Sequence, residues 1–356
     1  MDREKVFAIW FSLLTQITPV SKKDYLIKNT SFEDIYNAEA FNKNLADAEN
    51  IYLKCCEKGI DLISFYDEFY PPLLKEISNP PPVLYKKGLD IDYRKYPLAG
   101  VVGSRLVSDY GKCATEKIAR ELSQEGIIVV SGMAAGVDGI AHRSVISSGG
   151  VTVAVLGCGI DIIYPLENTD IYESLCKRGA ILSEYPPGMR PTKTSFPQRN
   201  RIISGMSHAT VVTEARLNSG SLITARTANT QERKVFAVPQ NINSPYGQGT
   251  NHILKSFATV ITEGTDVAEY LKKNKNTFKK TEPEKRKTAK REKPATLHLS
   301  VEERRIIEVL KGGVKHIDTI AEETGYPVQK ILAVSSLLEI KGVVYSVMGN
   351  SYALKS

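Results

Sequence analysis

The chain lacks the cysteine spacing of a zinc site or a disulfide scaffold. Its 356 residues include five cysteines, none of them in a CxxC pair, and no histidine stands at zinc-ligand spacing. Cys55 and Cys56 are adjacent and the other three are scattered. We therefore expect ordinary thiols in a reducing cytosol and no metal site.

Nucleotide motifs and long apolar runs are also missing. The first predicted strand ends at Gly103-Ser104-Arg105 rather than at GxGxxG, the GCG turn at 157–159 lacks a third glycine, and no GxxxxGK[ST] occurs. We expect no dinucleotide, no ATP and no other cofactor. The N-terminal apolar run is too short and too interrupted for a membrane span or a signal peptide. This predicts a soluble cytoplasmic protein that makes no membrane contact.

The positive charge is concentrated in one segment. Residues 272–293 hold eleven lysines and arginines against three glutamates, or +8, while the whole chain is +7, so the remainder is −1. A basic groove on the folded body must therefore be argued from local residues. The lysine-rich, proline-containing composition of this segment predicts disorder.

Composition divides the chain into four predicted parts. Residues 1–58 carry apolar residues at helical spacing and predict a small helical domain. Residues 59–271 predict an extended Rossmann-like domain, approached through the prolines at 80–82, which favour extended chain. Residues 272–297 predict a basic linker, and residues 298–356 predict a winged helix.

Short apolar runs alternate with helix-like segments in the predicted Rossmann-like domain. The runs lie at 98–103, 127–132, 151–157, 180–184, 209–214, 234–239 and 258–262, and the clearest helical segments lie at 110–124, 137–147, 168–177 and 221–231. Strands that are buried on both faces and alternate with helices indicate an α/β fold, with a doubly wound, mostly parallel sheet.

Such a sheet binds ligands at the carboxyl ends of its strands. Glycine loops follow several of these ends, and glycine allows close approach of a ligand to the backbone, while a following helix N-terminus favours an anion. The sequence predicts a phosphate-bearing ligand held by Gly103, Ser104, Arg105, Ser131, Gly132, Gly136, Ser219, Gly220 and Ser221.

The stretch 183–225 adds cations, an amide and an aromatic ring. Arg199 and Arg201 flank Asn200, and Lys193 lies three residues before Phe196. A single nucleic-acid strand binds through this mixture: cations for phosphates, an amide for base or sugar edges, and a ring for stacking. A solvated loop followed by a helix with surface arginines is the alternative.

Catalysis has little support in the sequence. Asp138 and His142 lie one helical turn apart, but no third partner or activated nucleophile accompanies them. We expect Asp138 to cap or orient a loop and His142 to pack, and we assign no catalytic residue.

The last 60 residues follow a helix, helix, helix, hairpin pattern. Ser300 and Glu303 form a predicted capping box at the start of the first helix. In the third helix only Gln329 and Lys330 are candidate base readers, so a protein contact is as plausible as DNA binding.

Together these motifs resemble the DNA-processing protein A family (DprA, also called Smf) of bacterial natural transformation. The resemblance runs from about Gly59 to Ala258 through YPPLLKEISNPPPVLYKKG, VVGSR, SGMAAGVDGIAH, VAVLGCGIDIIYPLEN, ILSEYPPG, FPQRNRIISGMS, VVTEA, SGSLITA and FAVP. It implies a homodimer that binds single-stranded DNA without strong sequence preference, protects incoming strands and loads a RecA-type recombinase, with no nucleotide cofactor and no reaction.

The resemblance also assigns roles to residues. It implies a phosphate pocket at Gly103, Ser104 and Arg105, with phosphate gripping and base stacking around Lys193 and Phe196. The sequence departs from the family pattern at three positions. Ala135 replaces a usual arginine, which is expected to weaken DNA binding, while Gln240 and Phe257 replace usual glycines and are expected to alter local loops.

Two other functions remain open at this stage. A Rossmann-like hydrolase of nucleotides or ribose-phosphates would use the same shell, although its PGGxGT loop is absent and SGSLIT is the nearest counterpart. A protein-binding adaptor would work through the terminal domains.

Overall fold

A computed structural model describes residues 1–38, 41–274, 300–340, 343–347 and 351–354. The chain forms two compact units, Met1–Glu282 and Pro283–Ser356, which we call the sheet unit and the winged-helix unit. The predicted linker 272–297 lies outside the described residues from position 275 onward. None of the described helices combines the length and apolarity that crossing a bilayer requires.

The described residues of the sheet unit form nine strands. In chain order they are β1 (Asp61–Ser64), β2 (Val83–Gly88), β3 (Leu98–Val102), β4 (Ile128–Ser131), β5 (Thr152–Leu156), β6 (Ala180–Ser183), β7 (Ala209–Val212), β8 (Lys234–Ala237) and β9 (Thr259–Val260). Their spatial order is β1-β2-β6-β5-β4-β3-β7-β8-β9. Strands β3 to β9 are mutually parallel, and β2 pairs antiparallel with both β6 and β1.

Eleven described helices belong to this unit. They are α1 (Arg3–Leu13), α2 (Pro19–Lys28), α3 (Phe32–Ala38), α4 (Ala46–Glu57), α5 (Asp109–Gln124), α6 (Val137–Ser147), α7 (Thr169–Arg178), α8 (Ser195–Met206), α9 (Gly220–Thr230), α10 (Gln248–Leu254) and α11 (Gly264–Lys273). Short 3-10 helices span Pro72–Lys75 and Leu166–Asn168.

The two faces of the sheet carry separate cores because successive side chains of a strand point to opposite faces. In β3, Ala99 and Val101 face a core that α5, α6 and α11 cover. Leu98 and Val102 of the same strand face the other core, which α7, α8 and α9 cover. The doubly wound α/β prediction is thereby confirmed, and all seven predicted strands are present.

The same second core also contains the N-terminal helices. Buried residues of α1, including Phe7 and Phe11, belong to one apolar cluster with Leu84 of β2 and Val153 of β5. Trp10 donates its indole N–H to the carbonyl of Asn42 at 2.7 Å. The predicted division of the chain into four domains stays a prediction, but helices α1 to α4 do not have a core of their own.

Two strands of the sheet unit have no counterpart in the prediction. Strands β1 and β2 extend the sheet where the proline- and tyrosine-rich segment predicted only extended chain. Helix α8 accommodates Pro197 in its first turn, because the N–H groups of the first turn have no partner within the helix.

The winged-helix unit has the predicted three helices and hairpin. Helices α12 (Val301–Leu310), α13 (Ile317–Thr324) and α14 (Val328–Ile340) accompany strands β10 (Lys315–His316), β11 (Val344–Val347) and β12 (Ser351–Leu354). The predicted capping box is confirmed, since Glu303 N donates to Ser300 Oγ at 3.1 Å and Ser300 N donates to the Glu303 carboxylate at 2.8 Å.

Both candidate base readers of helix α14, Gln329 and Lys330, are exposed. Lys330 is exposed, but its ammonium lies 3.3 Å from a Glu302 carboxylate oxygen and 4.7 Å from the Tyr326 ring centroid. Ser335 is buried. The side chains of Ser336 and Glu339 lie outside the described residues.

Candidate nucleic-acid interface

The predicted site lies at the topological switch point of the sheet. Strands β4, β5 and β6 extend to one side of β3, and β7, β8 and β9 extend to the other. A crevice therefore opens beyond the carboxyl ends of β3 and β7, where the connecting helices diverge to opposite faces.

The loop after β3 is held in place by its own backbone. Ser104 N donates to the carbonyl of Glu214 at 2.8 Å, and the Ser104 carbonyl accepts from Val137 N at 3.1 Å. The buried Glu214 carboxylate accepts from Ser108 N at 3.0 Å. These bonds tie the loop to β7 and α6, so that Arg105 extends into solvent from a fixed base.

The loop after β4 forms part of the floor of the crevice. Met133 and Gly136 have positive φ, of 54° and 75°, and the buried Asp138 accepts from Gly132 N at 3.1 Å and from Ala134 N at 3.4 Å. A side chain at Gly136 would collide with the Ser104 carbonyl. Burial raises the pKa of Asp138 above its ordinary value, against the opposing effect of the Arg199 cation.

Helix α8 begins beside this crevice because a helix that follows a parallel strand starts at the strand's carboxyl end. Lys193 precedes the helix and is exposed, Phe196 is half-buried in its first turn, and Asn200 lies one turn on. Arg105 lies over the Phe196 ring with its guanidinium carbon 5.0 Å from the centroid.

Arg199, which the sequence analysis offered as a cation for phosphates, is buried in the structure. Its side chain is only 3% exposed, and it donates to the carbonyls of Gly132, at 2.6 Å, and of Val155. Burial lowers its pKa. Because those carbonyls stand at the ends of β4 and β5, Arg199 fastens two strand ends together and forms part of the floor of the crevice.

Arg201, by contrast, does not line the crevice. It forms an ion pair with Glu184, and both side chains are largely buried. Burial raises the pKa of Glu184, which the Arg201 charge opposes. Of the two arginines that flank Asn200, Arg199 therefore stabilises the floor of the cavity, and Arg201 forms an ion pair outside the cavity.

The N-terminus of α9 closes the opposite side. Ser219 caps the helix by accepting from Ser221 N at 3.3 Å, and the two hydroxyls lie 2.7 Å apart. A side chain at Gly220 would meet no atom within 4 Å, so the space before the helix is open. Backbone N–H groups and the helix dipole make this position favourable for a phosphate.

These elements enclose a cavity of about 620 Å³. We call it the cationic cavity. It is lined by residues 102–106, Ala134, Asp138, Tyr164, six residues between Lys193 and Ile203, and seven between Arg216 and Thr224. Three of its cations, Arg105, Lys193 and Arg216, form no ion pair with any residue that the structure describes.

Ten of the fourteen predicted site residues line this cavity. They are Gly103, Ser104, Arg105, Lys193, Phe196, Arg199, Asn200, Ser219, Gly220 and Ser221. The other four, Ser131, Gly132, Gly136 and Arg201, do not line it. Ser131 donates to the Val101 carbonyl at 2.6 Å, and the two glycines shape the second loop. The roles of all fourteen in binding stay predictions.

Sequence reasoning missed several lining residues. Tyr164 is exposed, and its ring centroid lies 5.6 Å from that of Phe196 at an interplanar angle of 37°. Arg216 and Asn218 enter from the loop between β7 and α9. Tyr164 could have been found from its position after the GCG loop of β5. Arg216 could have been found from its position between Glu214 and the SGS turn.

Asp138 and His142 both form hydrogen bonds within the protein core. Thr152 Oγ1 donates to the Val129 carbonyl, so His142 Nδ1, 2.8 Å away, must be the donor to Thr152. Burial lowers the pKa of His142 to about 3. Within the described ranges, no three His, Cys, Asp or Glu side chains gather as metal ligands would.

Family comparison identifies related sequences over most of the chain. A family described as DNA recombination-mediator protein A matches residues 61–272, and the DprA winged helix domain matches residues 290–350. Protein Smf of Synechocystis is 45% identical over 209 residues, which cover 58% of this chain and 52% of that protein. The match thus spans about half the length of that relative.

Solved structures give the same relationship. DNA processing protein A (DprA) from Streptococcus pneumoniae matches with a TM-score of 0.62 and 32% identity, covering 76% of this chain and 98% of that one. DNA processing protein A from Helicobacter pylori, whose structure concerns its single-stranded DNA binding mode, matches with a TM-score of 0.55 and 31% identity. It covers 60% of this chain and 96% of that one.

Proposed function

Because the chain belongs to the DNA recombination-mediator protein A family, we propose that it binds single-stranded DNA in the cationic cavity, without strong sequence preference. One observation carries the proposal. Three cations that lack a carboxylate partner among the described residues surround a cavity that also contains an exposed ring. The Helicobacter pylori relative, with a related fold, is described as binding single-stranded DNA.

The geometry suits an unpaired strand. Arg105 and Lys193 would neutralise phosphates, and the N-terminus of α9 would accept another through backbone N–H groups. Phe196 and Tyr164 would stack bases, which a duplex keeps within its own stack. Since every base has an aromatic face, such a site tolerates any sequence.

We further propose that the protein acts as a homodimer in the cytoplasm. There it would protect incoming single strands during natural transformation and load a RecA-type recombinase onto them. This role is a binding role, in which the protein needs no cofactor and carries out no reaction. Release of free base from a nucleoside monophosphate incubated with the protein would instead favour the hydrolase alternative.

The direct test is the affinity of the full chain for a fluorescent oligothymidylate, measured by anisotropy over a range of salt. We expect Arg105→Ala and Lys193→Ala each to weaken binding about tenfold or more. Each should also make the plot of log K against log salt shallower by about 0.7, the value for one lost phosphate contact on a single strand.

Arg120→Ala is a matched control, because Arg120 is exposed on the distant half of α5. It should bind as the wild type does. Equal affinity of the wild type, Arg105→Ala and Lys193→Ala would overturn the assignment of the cationic cavity as the binding site.

A further inference from the structure

A second cation–aromatic pair lies on the β8 side of the cationic cavity. The Arg216 guanidinium carbon lies 4.4 Å from the centroid of the Tyr246 ring. Arg216 is exposed and lines the cavity, whereas Tyr246 is half-buried and lies outside it, in the connection between β8 and α10. The pair therefore reaches from the cavity wall onto the neighbouring surface.

Close backbone packing builds this pair. Gly249 N donates to the Ala215 carbonyl at 2.8 Å, and a side chain at Gly249 would stand 2.6 Å from the carbonyl oxygens of both Ala215 and Arg216. The start of α10 is thereby pressed against the chain that carries Arg216. The position of the guanidinium over the ring follows from this contact between the two segments.

Gln240 anchors the other end of the Tyr246 connection. Gln240 N and carbonyl bond reciprocally to the Asn251 side chain, at 3.0 and 2.9 Å, and Gln240 Nε2 donates to the Thr213 carbonyl at 3.1 Å. The sequence led us to expect an altered loop at Gln240, and the structure shows a loop that is tied to β7 and α10.

The Arg105–Phe196 pair and the Arg216–Tyr246 pair lie on opposite sides of the cationic cavity. Phe196 packs against Gly157 at the end of β5, and Arg216 follows the end of β7. Between β5 and β7 the order is β5-β4-β3-β7, so the strand ends that precede the two pairs are three inter-strand spacings, or about 14 Å, apart.

We propose that Arg216 and Tyr246 form an exit contact, which binds the single strand where it leaves the cationic cavity on the β8 side. The inference rests on the proposed function. Arg216 meets a phosphate and Tyr246 stacks the next base, so the strand crosses the sheet edge from Phe196 toward Tyr246. Ile242, exposed in the same connection, offers an apolar contact to a further base.

The test compares oligothymidylates of about 3 and about 20 nucleotides, bracketing the site sizes of about 4–16 nucleotides of single-strand binding folds. Tyr246→Ala should leave the affinity for the short strand unchanged and weaken that for the long strand about tenfold, as expected for one lost stacking contact. Tyr246→Phe, which keeps the ring, should bind both strands as the wild type does.

Arg216 provides an independent readout. Arg216→Ala should reduce the salt slope for the long strand by about 0.7, whereas Arg216→Lys, which keeps the charge, should retain the slope. Arg120→Ala again controls for loss of an exposed arginine, and thermal melting of each variant checks that it folds.

The outcomes separate this inference from the proposed function. If the wild type binds neither strand, the proposed function fails. If Lys193→Ala weakens both strands while Tyr246→Ala weakens neither, the cavity stands and the exit contact is wrong. If Tyr246→Ala weakens both lengths equally, the ring belongs to the cavity and the path toward β8 is wrong.

Discussion

The floor and the rim of the cationic cavity both contain cations, but they use them differently. On the floor, Arg199 is buried and donates to the carbonyls of Gly132 and Val155. On the rim, Arg105 and Lys193 are exposed and have no ion-pair partner in the part of the chain that the structure describes. The same residue type thus holds strands together in one place and stands open to a ligand in the other.

This difference shows what makes a cation available. A buried guanidinium needs acceptors for its N–H groups, and bonds made to carbonyls are no longer open to phosphate. The rim arginines rest on aromatic rings instead, Arg105 on Phe196 and Arg216 on Tyr246. A ring orients a guanidinium without neutralising its charge.

Removing the floor cation should have the largest effect on stability. Arg199→Ala deprives two buried carbonyls of their donor and leaves Asp138 without a nearby cation. We expect the free energy of unfolding to fall by about 3–5 kcal/mol, as for a broken buried charge network. Urea denaturation monitored by circular dichroism would measure it. A loss below about 0.5 kcal/mol would place Arg199 with the rim cations.

Arg201 should have an intermediate effect. Arg201→Ala leaves the largely buried Glu184 without its ion-pair partner, and we expect a loss of about 1–3 kcal/mol in the free energy of unfolding. The double variant with Glu184→Gln should recover part of that loss, because no buried charge then remains unpaired. Failure of the second change to recover any stability would show that the pair does not couple these residues.

Acid should destabilise the protein through His142. Its pKa is about 3 in the folded protein against 6.5 ordinarily, so the unfolded state binds the proton between these values. Stability should therefore fall as pH drops below about 6.5, with a slope approaching about 1.4 kcal/mol per pH unit for this group. His142→Asn should show a shallower slope in urea titrations at pH 7, 6 and 5. An unchanged slope would contradict this assignment.

The rim should have the smallest effect on stability. Arg105→Ala and Lys193→Ala remove exposed side chains, so we expect unfolding free energies within about 0.5 kcal/mol of the wild type. Their loss of DNA affinity would then report binding alone. A destabilisation as large as that of Arg199→Ala would abolish the distinction between rim and floor.

The sequence predicted the sheet well because buried parallel strands have a strong pattern. Each β-branched run between helical segments became a strand of the observed sheet, with its ends shifted by at most a few residues. Strands β1 and β2 were not predicted because they lie in a segment rich in proline, tyrosine and lysine, and because their antiparallel pairing depends on partners distant in the chain.

The site was predicted less completely, for physical reasons. Loop position located Gly103 to Arg105 and the SGS turn, since strand ends of a parallel sheet meet at one edge. Spacing could not show that Arg199 points inward, because that depends on where the carbonyl ends of β4 and β5 come to lie. Nor could it bring Arg216 to Tyr246, which are 30 residues apart.

The core that the N-terminal helices share with the sheet limits where the protein can be truncated. Each fully buried valine, leucine, isoleucine or phenylalanine side chain contributes about 1.5–3 kcal/mol, and α1 alone buries six consecutive residues, Val6 to Phe11, in the cluster that also holds Leu84 and Val153. A fragment that starts near residue 60 would lack α1 and would expose to water the apolar residues that α1 covers. We therefore expect removal of α1 to destabilise the sheet unit.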